Sequence, residues 1–350
     1  MPAAAARSFE VLPPVRRVDV AIDVAGDTPD ACRGEFPLTL SFRHAGPQRV
    51  IVRWEVRGAA HLPVVAVLGG ISANRHVAAS DAFGERGWWD AQADARWLAA
   101  HRVLSIDWLG SDGALDVPID TTDQADALAA VLDALDIDAL DAIVGCSYGA
   151  MVGLAFAAAH PARAKRLVAI AGAHRPHPFA SAWRSLQRSV VALGQLQCDE
   201  AQGLSIARQI AMLSYRTPEE FGARFDTTPI LDGGSARCAS EAWLAERGAS
   251  WANRTSATAF VRLSESIDLH AIPPPAVRIP TTLVAFAEDQ LVPPDDIRTL
   301  AAGIAAPVRL QVLHSQYGHD GFLKEPDAIA QVLARALDVG TLDGTREVLA

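Results

Sequence analysis

The sequence predicts an α/β protein: a mostly parallel central sheet with helices on both faces, interrupted by a helical insertion. Three observations carry this. Continuous apolar runs ending in glycine, such as "PVVAVLGG" from Pro63 to Gly70, read as central strands covered on both faces. Such runs alternate with segments whose apolar residues recur at helical spacing, the rhythm of strand–helix–strand units. Between residues 173 and 275 that rhythm stops, and no strong strand signal appears.

Taken in order, residues 1–36 are mixed in composition and are expected to form an extension or an edge strand. The alternating text of "LTLSFRH" and "RVIVRWEV" predicts antiparallel strands at the start of the sheet. "PVVAVLGG" and "HRVLSIDWLG", its strand ending at Asp107, are buried strands. "TTDQADALAAVLDALDI" is a helix with Thr121 or Thr122 as its cap. "DAIVG" is the next strand, "AMVGLAFAAAHP" a helix ended by Pro161, and "AKRLVAIAG" another strand. In 173–275, "SAWRSLQRSVVALGQL", "EAQGLSIARQIAML" and "ATAFVRLSESIDL" read as helices of a lid. That segment holds ten Arg, ten Asp or Glu and no Lys, so it is neutral. "PPPAVRIP" is a rigid joint back to the sheet. There "TTLVAFAED" and "PVRLQVLHS" are strands, and "PDDIRTLAAGI" and "PDAIAQVLARAL" are helices. The domains are thus an extension (1–36), a core (37–172 and 276–350) and a lid (173–275).

The formal charge of -10 argues against a nucleic-acid binder, which needs a basic face. No apolar run is long enough to span a membrane. The stretch "MPAAAARSFEVLPP" lacks the apolar core of a signal peptide, so a cytoplasmic protein is expected. Cys32, Cys146, Cys198 and Cys238 are scattered without metal-ligand spacing, and are expected to be free thiols with no metal site.

Gly145-Cys146-Ser147-Tyr148-Gly149 follows a strand and opens a helix, the context a nucleophile elbow requires. Ser147 is the candidate nucleophile; the alternative is a serine that only caps a helix. A serine hydroxyl needs a base within hydrogen-bond reach, and on such sheets the order is serine, acid, histidine. Asp289, just past a strand end, and His319, on the loop after the next strand, supply them. Glu288 and Asp320 are the competing acids. The other nine histidines, among them His160, His174 and His177, are read as surface or helix-end residues. The oxyanion hole is expected from the N–H of Tyr148 and a second donor in Leu68-Gly69-Gly70, assigned to Leu68. The full dinucleotide-binding pattern G-x-G-x-x-G is absent there.

Several segments together resemble the homoserine O-acyltransferase family, a CoA-dependent branch of the α/β hydrolase fold. They are "LGGISANRHV", "GWWD" (Gly87–Asp90), "GCSYGAMVGLAFAAAHP", "SYRTPEEFGARF", "EDQLVPP" and "YGHDGFL". The resemblance implies a ping-pong transfer of an acetyl or succinyl group from acetyl-CoA or succinyl-CoA, through Ser147, to the hydroxyl of L-homoserine. It implies a role in methionine biosynthesis, a homodimer and no permanently bound cofactor. Arg216 resembles the lid arginine that holds the substrate carboxylate, and Asp320 the acid that meets its ammonium. This chain departs from the usual family text at Tyr148, Ala150 and Leu68-Gly69-Gly70-Ile71, which border the acyl pocket. Two alternatives stay open: a serine hydrolase of esterase type on the same triad, and acyl transfer to L-serine.

Overall fold

The computed structural model describes residues 21–23, 31–197, 199–338 and 347–349. The N-terminal stretch read above for a targeting signal, and Cys198, lie outside them. Twelve strands are described: β1 (Ala21–Asp23), β2 (Ala31–Phe42), β3 (Gly46–Arg57), β4 (Val64–Leu68), β5 (Arg102–Ile106), β6 (Ala142–Cys146), β7 (Leu167–Ile170), β8 (Ile230–Asp232), β9 (Ser235–Arg237), β10 (Thr281–Phe286), β11 (Val308–Leu313) and β12 (Glu347–Leu349). The helices are α1 (Arg96–Ala99), α2 (Thr121–Ala134), α3 (Tyr148–Ala159), α4 (Pro178–Leu196), α5 (Glu200–Tyr215), α6 (Pro218–Arg224), α7 (Ala239–Ala252), α8 (Ala257–Leu269), α9 (Pro294–Gly303), α10 (Gly321–Lys324) and α11 (Pro326–Asp338).

Ten strands form one sheet in the order β1-β2-β3-β5-β4-β6-β7-β10-β11-β12. It is antiparallel from β1 to β5 and parallel from there to β12. The period-2 alternation of β6 divides the core. Ile143 faces the apolar layer that holds Leu128 of α2 and Ile297 of α9. Ala142, Val144 and Cys146 face the other layer, with Trp97 of α1 and Ile329 of α11. Every residue of β6, β7 and β10 is buried, as their unbroken apolar text predicts.

The structure differs from the sequence reading in several places. β2 reaches back to Ala31, so the boundary at residue 36 falls inside a strand. Glycine at position 34 permits this, because a Cβ there would lie 2.3 Å from the Trp54 ring. Asp120, not Thr121 or Thr122, caps α2. Its carboxylate accepts from Thr122 N at 2.9 Å, and Asp123 accepts from Asp120 N at 2.7 Å, a reciprocal capping box. The lid, read as helical, also holds the β8–β9 hairpin, turned by Gly233 and Gly234 at φ 53° and 82°. It holds α6 and α7 besides the three helices expected. A further strand, β12, follows the closing helix α11. Among the described residues no helix is long and apolar enough to cross a membrane.

Backbone crowding sets what the sheet centre tolerates. A Cβ on Gly145 would stand 2.3 Å from the Gly149 carbonyl oxygen. Gly145→Ala is therefore expected to destabilise the fold by about 1–3 kcal/mol through forced backbone displacement. A thermal unfolding midpoint equal to that of the unsubstituted protein would refute this.

Candidate active site

Ser147 joins β6 to α3 and is held at φ 54°, ψ -114°, a strained conformation for a residue with a side chain. Its N–H donates to Ile170 O at 2.8 Å. The flanking glycines are needed for close approach. A Cβ on Gly149 would meet the Leu68 carbonyl oxygen at 2.2 Å, and Gly149 N–H donates to Gly69 O at 2.9 Å. The turn therefore locks against the end of β4 and presents the serine hydroxyl above the sheet edge.

The structure brings the expected triad together. Ser147 Oγ lies 2.8 Å from His319 Nε2, and His319 Nδ1 lies 2.7 Å from Asp289 Oδ2. Asp289 follows β10, and its other oxygen accepts from Leu291 N and Val292 N, at 2.8 and 3.0 Å. An ionised carboxylate only accepts, so the His319 proton sits on Nδ1 and Nε2 is free to take the serine proton. His319 lies in the 3-10 turn Gly318–Asp320 after β11, with Gly318 at φ 55°. Trp89, in the "GWWD" segment, holds the helix α10 that follows this turn by donating to Phe322 O at 2.9 Å. Burial acts to lower the His319 pKa. The charge and hydrogen bond of Asp289, joined by the charge of Asp320, outweigh it and hold the imidazole above its usual 6.5.

The competing acids are engaged elsewhere. Glu288 is bonded by His314 Nδ1 and Ser315 N, each at 2.8 Å. Asp320 forms an ion pair with Arg216, Oδ2 to Nε at 2.9 Å. Arg216 is buried, and Glu220 stands 3.5 Å from its Nη1. Neither of these two guanidinium nitrogens has an aligned acceptor. A cavity of about 660 Å³ opens over Ser147 between core and lid. Asp320 lines it; Arg216 does not, and meets it through Asp320.

Tyr148 is buried at the base of the cavity, one residue past the nucleophile. Leu68, the expected second oxyanion donor, ends β4 in the ladder opposite Gly145 and does not face the cavity. Gly70 does, and a Cβ built on it would lie 4.0 Å from Ser147 Cβ. The strand has to end before its backbone can turn over the serine, and that shifts the approach from Leu68 to Gly70.

The unusual residues of the elbow now have physical roles. The Tyr148 hydroxyl and Ser266 Oγ of lid helix α8 lie 2.6 Å apart, and the Tyr148 ring meets Trp108 edge-on at 4.9 Å. Burial raises the Tyr148 pKa, so the phenol stays protonated. Ala150 packs at Gly172, where an added Cβ would stand 2.5 Å from Ala150 Cβ. Cys146 faces the opposite apolar layer, and burial raises its thiol pKa well above normal. It is an inert core residue. Among the histidines read as surface or helix-end residues, His76 and His101 are buried, and His270, at the end of α8, is buried as well. His270 lies between Thr121 Oγ1 and Ala173 O, and burial lowers its pKa to about 4.

Residues 63–326 match the family model of the alpha/beta hydrolase fold. Over 314 residues the chain is 55% identical to a homoserine O-succinyltransferase of Xanthomonas campestris pv. campestris, covering 89% of this chain and 85% of the relative. The chain belongs to the homoserine O-acyltransferase family. A more distant member, a homoserine O-acetyltransferase of Thermus thermophilus, is 32% identical over 289 residues, 72% of each chain. Among solved structures, a homoserine O-acetyltransferase from Bacillus anthracis superposes with a TM-score of 0.80 at 13% identity. The superposition covers 89% of this chain and 99% of that one. Esterase E22 superposes with a TM-score of 0.79 at 19% identity, covering 88% and 100%. Both show the shared fold, which esterases and acyltransferases have in common. As a member of the family, the chain is an acyltransferase.

The direction of the His319 shift sets a pH dependence. Only the neutral imidazole accepts the serine proton, so kcat/KM is expected to fall as pH drops through an inflection above 6.5. Asp289→Asn removes the charge that raises this pKa, and should move the inflection down while lowering kcat by about 10⁴-fold. A pH–rate profile whose inflection stays put in Asp289→Asn would show that Asp289 does not hold the base.

Proposed function

We propose that the chain is a CoA-dependent O-acyltransferase that moves a succinyl group through a Ser147 ester to the hydroxyl of L-homoserine, in methionine biosynthesis. The observation that carries the mechanism is the continuous hydrogen-bonded line from Ser147 Oγ through His319 to Asp289, opening into a cavity large enough for substrates. The 55% identical relative named as a succinyltransferase supports the choice of succinyl over acetyl.

In the first half-reaction Ser147 Oγ attacks the thioester carbonyl and His319 Nε2 takes its proton. The oxyanion meets the N–H of Tyr148, at the N-terminus of α3, and a second backbone N–H in the Leu68–Ile71 segment. We assign that donor to Gly70. The tetrahedral intermediate collapses, the carbon–sulfur bond breaks, and His319 returns the proton to the leaving CoA thiolate. In the second half-reaction homoserine enters, His319 takes the proton of its hydroxyl, and the oxygen attacks the Ser147 ester. The intermediate collapses, the bond from the acyl carbon to Ser147 Oγ breaks, and His319 returns the proton to Ser147 Oγ as the acylated homoserine leaves.

The acceptor is a zwitterion, and the Asp320–Arg216 pair beside the base offers both complementary charges. Asp320 takes the ammonium, which frees Arg216, whose Nε and Nη1 lack an aligned acceptor, for the carboxylate. An acyl-CoA donor and the unpaired thiols Cys32, Cys146 and Cys238 suit a reducing compartment, and we place the enzyme in the cytoplasm.

We also propose that it acts as a homodimer joined through the lid. On α4, Phe179, Leu186 and Leu193 recur every seventh residue and are 49%, 57% and 59% exposed. Ile206 and Leu213 of α5 repeat that spacing. A heptad-spaced apolar stripe on neighbouring helices fits a second copy of the same helices.

The transfer is tested by following thiol release from succinyl-CoA and acetyl-CoA with and without homoserine. Release that depends on Ser147 and rises strongly with homoserine is expected. Release indifferent to every amino-acid alcohol points to a hydrolase and rejects the transferase; preference for L-serine rejects homoserine as the acceptor. Arg216→Ala should raise the homoserine KM by about 10-fold or more, with a smaller effect on the donor KM. An unchanged acceptor KM removes the carboxylate role. For the dimer, replacing Leu186 and Leu193 together by Glu should give a monomer in sedimentation equilibrium, and an unaltered mass would exclude this interface.

A further inference from the structure

The cavity wall is rich in arginine, but its guanidiniums are not equivalent. Arg33 pairs with Glu55 and Glu85, Arg75 with Asp107, and Arg86 with Asp90. Arg184 is bound to Asp268 Oδ1 through two nitrogens, at 2.9 and 2.6 Å. Arg254 is exposed at the rim. Arg208, on α5, is half-buried and has no carboxylate partner among the described residues. Its neighbours are uncharged: Ser72 Oγ at 3.5 Å, the Tyr215 ring at 5.6 Å and the Trp251 ring at 5.5 Å.

This surrounding holds the guanidinium in place without neutralising it. Two aromatic rings lie beside the cation, and the hydroxyl takes one donor weakly. A cation partly withdrawn from water in this way gains from an anion delivered to it. Its position connects it to the chemistry. The Tyr215 ring beside Arg208 is also 5.9 Å from the His319 ring, and Ser72 lies just beyond Gly70 and Ile71. Arg208 thus stands one ring away from the base, on the lid side of the space above Ser147.

Resting on the reading that Ser147 accepts an acyl group from a CoA thioester, we propose that Arg208 determines donor specificity by binding the free carboxylate of a dicarboxylic acyl group. An acetyl group ends in a methyl and offers this guanidinium nothing. A succinyl group carries a second carboxylate past two methylenes, and a guanidinium receives it through two parallel N–H donors. The Ser72 hydroxyl supplies a third. The acceptor's carboxylate is left to the Asp320–Arg216 pair.

The test compares donors in the same variant. For the full-length protein, Arg208→Leu should lower the ratio of kcat/KM for succinyl-CoA to that for acetyl-CoA by about 10–100-fold, the size of a charge-assisted contact. The homoserine KM should keep its value. Arg208→Lys keeps the charge but not the fork, and should recover part of the ratio. An equal loss for both donors would mean that Arg208 touches the CoA moiety or supports the fold, and overturns the inference. A rise confined to the homoserine KM would place the acceptor carboxylate there and overturn it too, as would an unchanged ratio. Absence of thiol release from either donor in the unsubstituted protein defeats the acyl-transfer reading itself, and the inference with it.

Discussion

At the carboxyl end of β6, three stretches of backbone approach so closely that no side chain fits between them. The Gly149 α-carbon faces the Leu68 carbonyl, Gly145 faces Gly149, and Gly172 leaves room for Ala150. This crowding holds Ser147 at a positive φ that its own chemistry disfavours. The serine could not stand clear of the sheet otherwise, and the N–H groups at the start of α3 could not point at the same space. The strain is balanced by the buried strands on either side, which fix β6 through ladders with β4 and β7. Catalytic position and core packing are therefore one constraint, and the rest of the site is arranged around it.

Charge is arranged around His319 in two parts. Asp289, fully buried and held by two backbone N–H groups, is bonded to one nitrogen, where its charge favours the protonated imidazole. On the other side runs an alternating line, Asp320, Arg216, Glu220 and Arg224, leading from the cavity into the lid. Such a line is neutral as a whole but locally polar. It places an acid beside the base without leaving an unpaired buried charge. It also gives two neighbouring residues on one turn different partners, Asp289 for His319 and Arg216 for Asp320.

What could be read from the sequence follows from where each signal is stored. β4, β6 and β10 were legible because buried strands are written as unbroken apolar runs. Asp289 and His319 were legible because both sit just past strand ends, in the order the fold demands. The start of β2 at Ala31 was not, since it depends on Trp54 filling the space over Gly34 from the next strand. Nor was α7, where Gly248 is the single buried residue, so almost no apolar stripe marks it. The cap of α2 was displaced by one residue because threonine and aspartate are both good caps. Leu68 was named where Gly70 approaches the serine, since text alone does not say how far a strand runs. Arg208 and the Tyr148–Ser266 pair were invisible, for each depends on contacts between chain segments more than a hundred residues apart.

The Tyr148–Ser266 hydrogen bond has a consequence for how the cavity over Ser147 opens. Ser266 belongs to a helix of the lid, and Tyr148 is the residue that follows Ser147 in the elbow. A lid that lifts must either break this buried bond or drag the elbow out of register. Lid and elbow are thus interlocked, like a door latched to its frame. While that bond holds, the lid helix and the elbow are tied together, and the space over Ser147 keeps its shape.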